Sequence, residues 1–349
     1  MNDLKIMLAD TASRLLGAGV DKSVRERSEA GEFASSLWAE LEDAGLTRPF
    51  TSAGLSSMSW EILHALVLAA GRFAVPLPLV ESIAADWVLG LIGVDRSDGR
   101  VTLADPWRCR DLRIEGGEGT KRLWGVATRV PWGRAARYVL IQIGDGPDGI
   151  LACIETAHCE IAQGHSIAGE PRDTLSFSGV VADVWPLPGR MHKLSLRHLG
   201  AALRAAQMAG ALATIRDMAV TYAQDRVQFG RPIGKFQAVR HQIADLAAAS
   251  AAADVAAADA ARRLDSDDAL FEIAVAKARA CEAAAKGSLI AHQVHGALGF
   301  AKEHDLHYFT SRLWAWRTEF GSEIHWQDIL GNIAAEVSTR GIWPLLTSR

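Results

Sequence analysis

The sequence predicts an α+β fold in three segments: an N-terminal helical domain over residues 1–98, a central β-barrel or sandwich over 99–190, and a C-terminal long four-helix bundle over 191–349. Three observations carry this. Apolar residues recur at helical spacing up to about Val94, glycine-punctuated β-rich runs fill the middle, and an alanine-rich helical pattern occupies the rest.

In the first segment Phe33, Leu37, Leu41 and Ala44 line one helical face, and Ile62, Leu66 and Ala69, with Leu63, Val67 and Ala70 beside them, line another. Gly45, the stretch Thr51 to Ser57, Pro76 and Pro78 punctuate these helices. In the second, Tyr138 to Ile143, Gly149 to Ile154 and the alternating run Thr174 to Val181 read as short strands, about six in all, bounded by glycines. Pro186, Pro188 and Gly189 close the segment. In the third, one long helix runs from Leu194 to about Gln228, where Pro232 stops it. A second starts near Phe236 and passes through Ala247 to Ala261, and a third spans Asp268 to about Gly296. Asp245, Asp254, Asp259, Arg262 and Arg263 give the alanine-rich helix a polar face, so it reads as an ordered amphipathic helix.

Composition excludes several function classes. With 37 basic and 41 acidic side chains the net charge is −4, and no basic stripe exists to meet nucleic acid. At 49% hydrophobic content the chain has ample core, which argues against disorder. Glu81, Asp86 and Asp95 interrupt the best apolar stretch, so no membrane span is expected, and Met1 to Asp10 lacks the layout of a secretory signal. A cytoplasmic location is the expectation. Cys109, Cys153, Cys159 and Cys281 form no CxxC pair and have no His at ligand spacing, so neither a disulfide framework nor a metal site is expected.

At Tyr222 to Gln237 the chain reads YAQDRVQFGRPIGKFQ, and here it resembles the acyl-CoA dehydrogenase family. Arg226, Gln228, Phe229, Gly230, Pro232, Ile233, Phe236 and Gln237 match the family pattern R-x-Q-F-G-x-P-I-x-x-F-Q. Gln293 to Phe300 (QVHGALGF) is similar to the family's Q-x-x-G-G-x-G-Y/F turn, with Ala297 replacing one glycine. Leu41 to Leu46 and Leu66 to Val80 are similar to its first domain.

The resemblance implies FAD as cofactor, an acyl-CoA substrate and α,β-dehydrogenation. It also implies an electron-transferring flavoprotein as electron acceptor and a dimer or tetramer of like or sister chains. Arg226 would bind the pyrophosphate of a neighbouring subunit's flavin bidentately, as guanidinium geometry allows. Phe229 would pack on the cofactor, Gln228 and Gln237 would contact it, and Gln293 and Gly296 would let the backbone approach its adenosine half. Trp132, in Val130-Pro131-Trp132-Gly133, would flank the flavin, and Ser322 takes the place of a family threonine on the cofactor. Leu103-Ala104-Asp105-Pro106 stands where the family carries T-E-P-x-x-G-S.

The chemistry needs a carboxylate to take the α-proton, with desolvation raising its pKa. Trp316 to Glu323 reads WRTEFGSE. Counted without a gap from Gln293, Phe320 occupies the base position, whereas a one-residue deletion places Glu319 there. Glu323 is a second choice. Some family members instead carry the base on the long helix, at a position corresponding to about Gly200 here. Three readings follow: an FAD-dependent dehydrogenase using Glu319, a non-catalytic subunit completing flavin sites in a heterotetramer with an active sister chain, and a flavin oxidase or monooxygenase on the same fold. The bulk of Trp314 and Trp316 suggests a pocket for branched, cyclic or steroid-derived acyl groups rather than long straight chains.

Overall fold

The computed structural model describes residues 2–51, 58–96, 98–117, 119–266, 268–337, 341, 343 and 347. The punctuation read at Thr51 to Ser57 therefore lies, beyond Thr51, outside the described residues. Helices α1 (Asn2–Gly19), α2 (Lys22–Glu29), α3 (Ser35–Asp43), α4 (Trp60–Arg72) and α5 (Leu79–Leu91) open the chain. Asp21 and Ser59 cap α2 and α4 by accepting from Val24 N at 2.8 Å and Ile62 N at 3.3 Å. Helix α5 is buried from Leu79 to Leu89, its charged residues Glu81 and Asp86 included. Asp86 is satisfied locally by the Phe50 and Thr51 amides. Glu81 finds its partner in the bundle.

Seven strands follow: β1 (Val101–Leu103), β2 (Cys109–Glu115), β3 (Lys121–Pro131), β4 (Tyr138–Ile143), β5 (Ile150–Glu155), β6 (Glu160–Ala162) and β7 (Arg172–Pro186). They form one curled sheet in the order β1-β4-β5-β7-β3-β2, with β6 on β7. Only β1 and β4 run parallel. Register shifts between Arg110 and Arg113, Leu123 and Trp124, and Ala127 and Val130 bend it. Leu123, Val139, Ile141, Ile154, Leu175 and Phe177 make its private core.

Helix α6 (Leu196–Asp225) begins the bundle with a capping box, Ser195 accepting from His198 N while His198 accepts from Ser195 N. It ends three residues before the pattern suggested, because Arg226 turns extended (ψ 113°) and opens a hairpin of β8 (Val227–Gln228) and β9 (Arg231–Pro232). Helices α7 (Gln237–Leu264), α8 (Leu270–His295), α9 (Leu306–Trp316) and α10 (Glu323–Glu336) complete it. The N-terminal helices and the bundle share one apolar core. At their seam α4 and α6 touch through glycines. A Cβ at Gly71 would lie 2.6 Å from the Gln207 carbonyl carbon, and one at Gly210 would lie 2.7 Å from Arg72 N. Among the described residues no helix is long and apolar enough to cross a membrane.

Candidate functional site

The singled-out residues fall into two groups, one exposed on the bundle and one buried between bundle and sheet. The exposed group begins at the hairpin. Phe229 and Gly230 both have positive φ (51° and 76°), as a type I′ turn requires, and this turn thrusts the Phe229 ring outward to 92% exposure. Such an aromatic is costly to leave in water unless another molecule covers it. Arg226 and Gln228 are exposed on the same hairpin, and Gln237 is exposed at the first turn of α7. The Arg226 guanidinium has no ion-pair partner among the described residues, Asp225 included.

The C-terminus of α8 joins this surface. Tyr222, one turn before Arg226, stacks on His295 with ring centroids 4.7 Å apart. Gln293 and Gly296 are exposed beside it. Gly296 ends α8 at φ 58°, ψ −140°, a conformation open essentially to glycine alone. His292 and His295 each keep one buried ring nitrogen without a hydrogen-bond partner.

The buried group is electrostatic. Glu319 is 9% exposed and accepts from Arg172 Nε at 2.7 Å and Arg204 Nε at 2.8 Å. Arg204 continues to Glu81 and Gln207. Arg172 continues to Glu170 at 2.8 Å, and Glu170 to Arg312 at 3.1 Å and Trp316 Nε1 at 3.2 Å. Three carboxylates and three guanidiniums thus alternate from α5 to α9, neutral in sum, as burial demands. Burial alone would push Glu319 up, but Arg172 and Arg204 outweigh it and hold the carboxyl at about 2. That is the reverse of the raised pKa sought in a proton-abstracting carboxylate. Arg204, pushed down by burial, is driven up further by Glu81 and Glu319.

Next to it Phe320, at φ 51° and 4% exposure, lays its ring on Gly200. The turn carrying both is clamped by fully buried Lys277, whose Nζ donates to the carbonyls of Trp316 (2.9 Å), Arg317 (3.1 Å) and Gly321 (3.0 Å). Between this turn and the sheet remains a cavity of about 20 Å³ lined by Asp105, Arg108, Arg129, Pro131, Thr318, Glu319 and Phe320. It holds about one water. Asp105 is tied to Arg197 at 2.8 Å.

Residues 196–333 match the family model for the acyl-CoA dehydrogenase C-terminal domain. Acyl-CoA dehydrogenase IpdE2 of Mycolicibacterium smegmatis is 34% identical over 156 residues, 44% of this chain and 48% of that protein. Acyl-CoA dehydrogenase FadE34 of Mycobacterium tuberculosis is 34% identical over 266 residues, 73% of this chain and 35% of that protein. The chain belongs to the acyl-CoA dehydrogenase family. It spans about half the length, or less, of these curated relatives. A chain in the crystal structure of the ChsE4-ChsE5 complex from Mycobacterium tuberculosis shares the fold at TM-score 0.86 and 20% identity, over 96% of this chain and 98% of that one.

Against the acyl-CoA dehydrogenase motifs, the hairpin and the glycine turn stand together, whereas Trp132, Glu319 and Ser322 lie at the sheet, the Phe320 turn and the start of α10. Trp132 is 4% exposed and sits in a turn, its N–H donating to Pro171 O at 3.0 Å and its carbonyl accepting from Ala135 and Ala136. Ser322 caps α10. Glu323 pairs with Arg317 at 3.1 Å. Trp316 is buried against Glu170, while Trp314 is 44% exposed under the Arg317 guanidinium. Sequence reasoning missed Arg172, Arg204 and Glu170. One available signal was charge inside an apolar helix: Arg204 and Gln207 are the polar residues of an otherwise apolar run from Leu199 to Leu212.

Proposed function

We propose that this chain serves FAD-dependent α,β-dehydrogenation of acyl-CoA thioesters as the subunit that completes the flavin site of a catalytic sister chain. The observation that carries the reading is the contact of Phe320 with Gly200. With the loop counted without a gap, those are the two positions at which the family resemblance would set a proton-abstracting carboxylate. Here they hold a phenyl ring and the gap it fills.

The donor set fits a cofactor shared with another subunit. Arg226 would clamp the pyrophosphate, Phe229 and Gln237 would cover the cofactor, and Gly296 would admit its adenosine half at Gln293. FAD, when bound, supplies the hydride acceptor. At the chain's own seam between sheet and bundle, the Arg197–Asp105 pair and Phe320 leave only about 20 Å³ beside Glu319, and a separate space of about 560 Å³ is lined by Trp107, Gln142, Arg197, His198 and His325. Glu319 is then a structural counter-ion to Arg172 and Arg204. The acyl group and the electron-transferring flavoprotein belong in this reading to the sister chain's site, within a heteromeric dimer or tetramer.

Purification of the chain alone tests this. The expected result is no flavin band that acyl-CoA thioesters bleach, with flavin retained once a carboxylate-bearing sister chain is co-expressed. A yellow chain, alone, that acyl-CoA bleaches and that loses bleaching in Glu319→Gln would overturn it in favour of the self-sufficient dehydrogenase. Stoichiometric hydrogen peroxide under air would instead establish the oxidase.

A further inference from the structure

A second cleft, of about 580 Å³, opens between the C-terminal half of α6, the end of α4, α2 and the start of α9. That volume is ordinary for a small-molecule site. Phe73, Met218 and Phe309 give it an apolar wall. Four of its charges cancel, Arg72 with Asp217 at 3.0 Å and Arg25 with Asp305 at 3.2 Å. Asp225 remains, exposed and with no hydrogen-bond or ion partner among the described residues.

His295, 3% exposed, also lines the cleft. Its Nδ1 is 2.7 Å from the Ala291 carbonyl, so that nitrogen carries the proton and Nε2 is left as a lone-pair acceptor. Nε2 has no partner. Tyr222, stacked on the same imidazole, adds a π surface to the lining. Among the buried side-chain atoms of the described residues, Arg25 Nε is an unpartnered donor there, on a guanidinium lying over the Tyr308 and Phe309 rings at 5.5 and 5.7 Å.

A spare carboxylate, a buried acceptor nitrogen and an aromatic ring above an apolar wall complement one kind of ligand. We propose that this cleft binds an organic cation, an ammonium or guanidinium on a short apolar stem. N–H groups of the ligand donate to Asp225 and to His295 Nε2, and its stem lies against Phe73, Met218 and Phe309. The cleft borders the surface of Arg226 and Gly296 through Tyr222, Asp225 and His295, but the ligand contacts named here use none of the residues given to the cofactor.

Calorimetric titration of the full chain with n-butylguanidinium tests it. The expected result is saturable 1:1 binding, weakened at least about tenfold by Asp225→Asn, the loss expected when a charge-assisted hydrogen bond is removed. His295→Phe, which keeps the ring stack and removes the acceptor, should weaken it as well, and the His295 Nε2 resonance should move on titration. Absence of saturable binding, equal affinity in Asp225→Asn, or equal binding of butyrate or n-pentanol would each overturn the proposal. Asp225 is exposed at a helix end, so its isosteric substitution leaves the fold intact for this comparison.

Discussion

The ring of Phe320 rests on the Cα of Gly200, so closely that a Cβ at residue 200 would lie 2.6 Å from Phe320 Cε1. The two residues are complementary, and each explains the other. Gly200→Ala is expected to destabilise the chain by roughly 1–3 kcal/mol through overpacking. Phe320→Ala should cost about 3–5 kcal/mol through the cavity it leaves. In a urea double-mutant cycle the pair should cost less than the sum of the singles, because the alanine at 200 enters the space vacated by the ring. Strict additivity would deny the contact.

Breaking the buried ion chain should be expensive. Glu319→Gln leaves Arg172 and Arg204 short of a counter-charge, and loss of one partner of a buried pair typically costs about 3–5 kcal/mol. A loss within about 0.5 kcal/mol in chemical denaturation would mean that the arginines are compensated elsewhere.

Acid should unfold the protein in two stages. His198 is held at about 4 by burial and by Arg197, below the ordinary 6.5, so the unfolded chain takes the proton first. Its contribution is complete above about 6.5 and is lost as pH falls toward 4. Glu319, at about 2 in the fold against an ordinary 4.5, contributes fully above about 4.5 and is lost between there and about 2. Stability measured against pH should therefore keep its lower step in His198→Asn, and that step should shrink in Glu319→Gln. His292, His295, His304 and His325, also lowered by burial, add to the upper step.

Exposed hairpin residues should behave in the opposite way. Arg226→Ala and Phe229→Ala are expected to change stability by less than about 0.5 kcal/mol, since both side chains lie in solvent. In the assembled oligomer each should lower the flavin content read from visible absorbance. Arg226→Lys should not rescue it, because an ammonium cannot bind pyrophosphate bidentately.

Gly296→Ala should cost about 1–3 kcal/mol from backbone strain at its positive φ. Thermal unfolding of the variant checks this, and a midpoint equal to that of the wild type would count against it.

Local signals carried most of the architecture. The helix of α4 was legible in Ile62, Leu63, Leu66 and Val67, and strand β4 in Tyr138 to Ile143, since both periodicities lie within a few residues. The end of α6 was less so. Arg226 is a good helix former, and only the pairing of Val227 with Pro232 pulls the chain out of the helix. The motif from Arg226 to Gln237 could be read because its residues lie close together in sequence, although the hairpin it forms could not. The ion chain could not: Arg204 meets Glu81 across 123 residues and Glu319 across 115, separations at which sequence spacing carries no information. Glu81 and Asp86 were visible as charges breaking an apolar helix, yet their partners were not.

The core shared by the first helices and the bundle bears on biosynthesis. Helix α4 leaves the ribosome well over a hundred residues before α6, the partner whose Gln207 and Leu212 region covers it, has been made. Its apolar face must wait in the nascent chain while the intervening sheet, with a core of its own, can already close. Chaperone demand should accordingly peak midway through translation and fall once the bundle emerges.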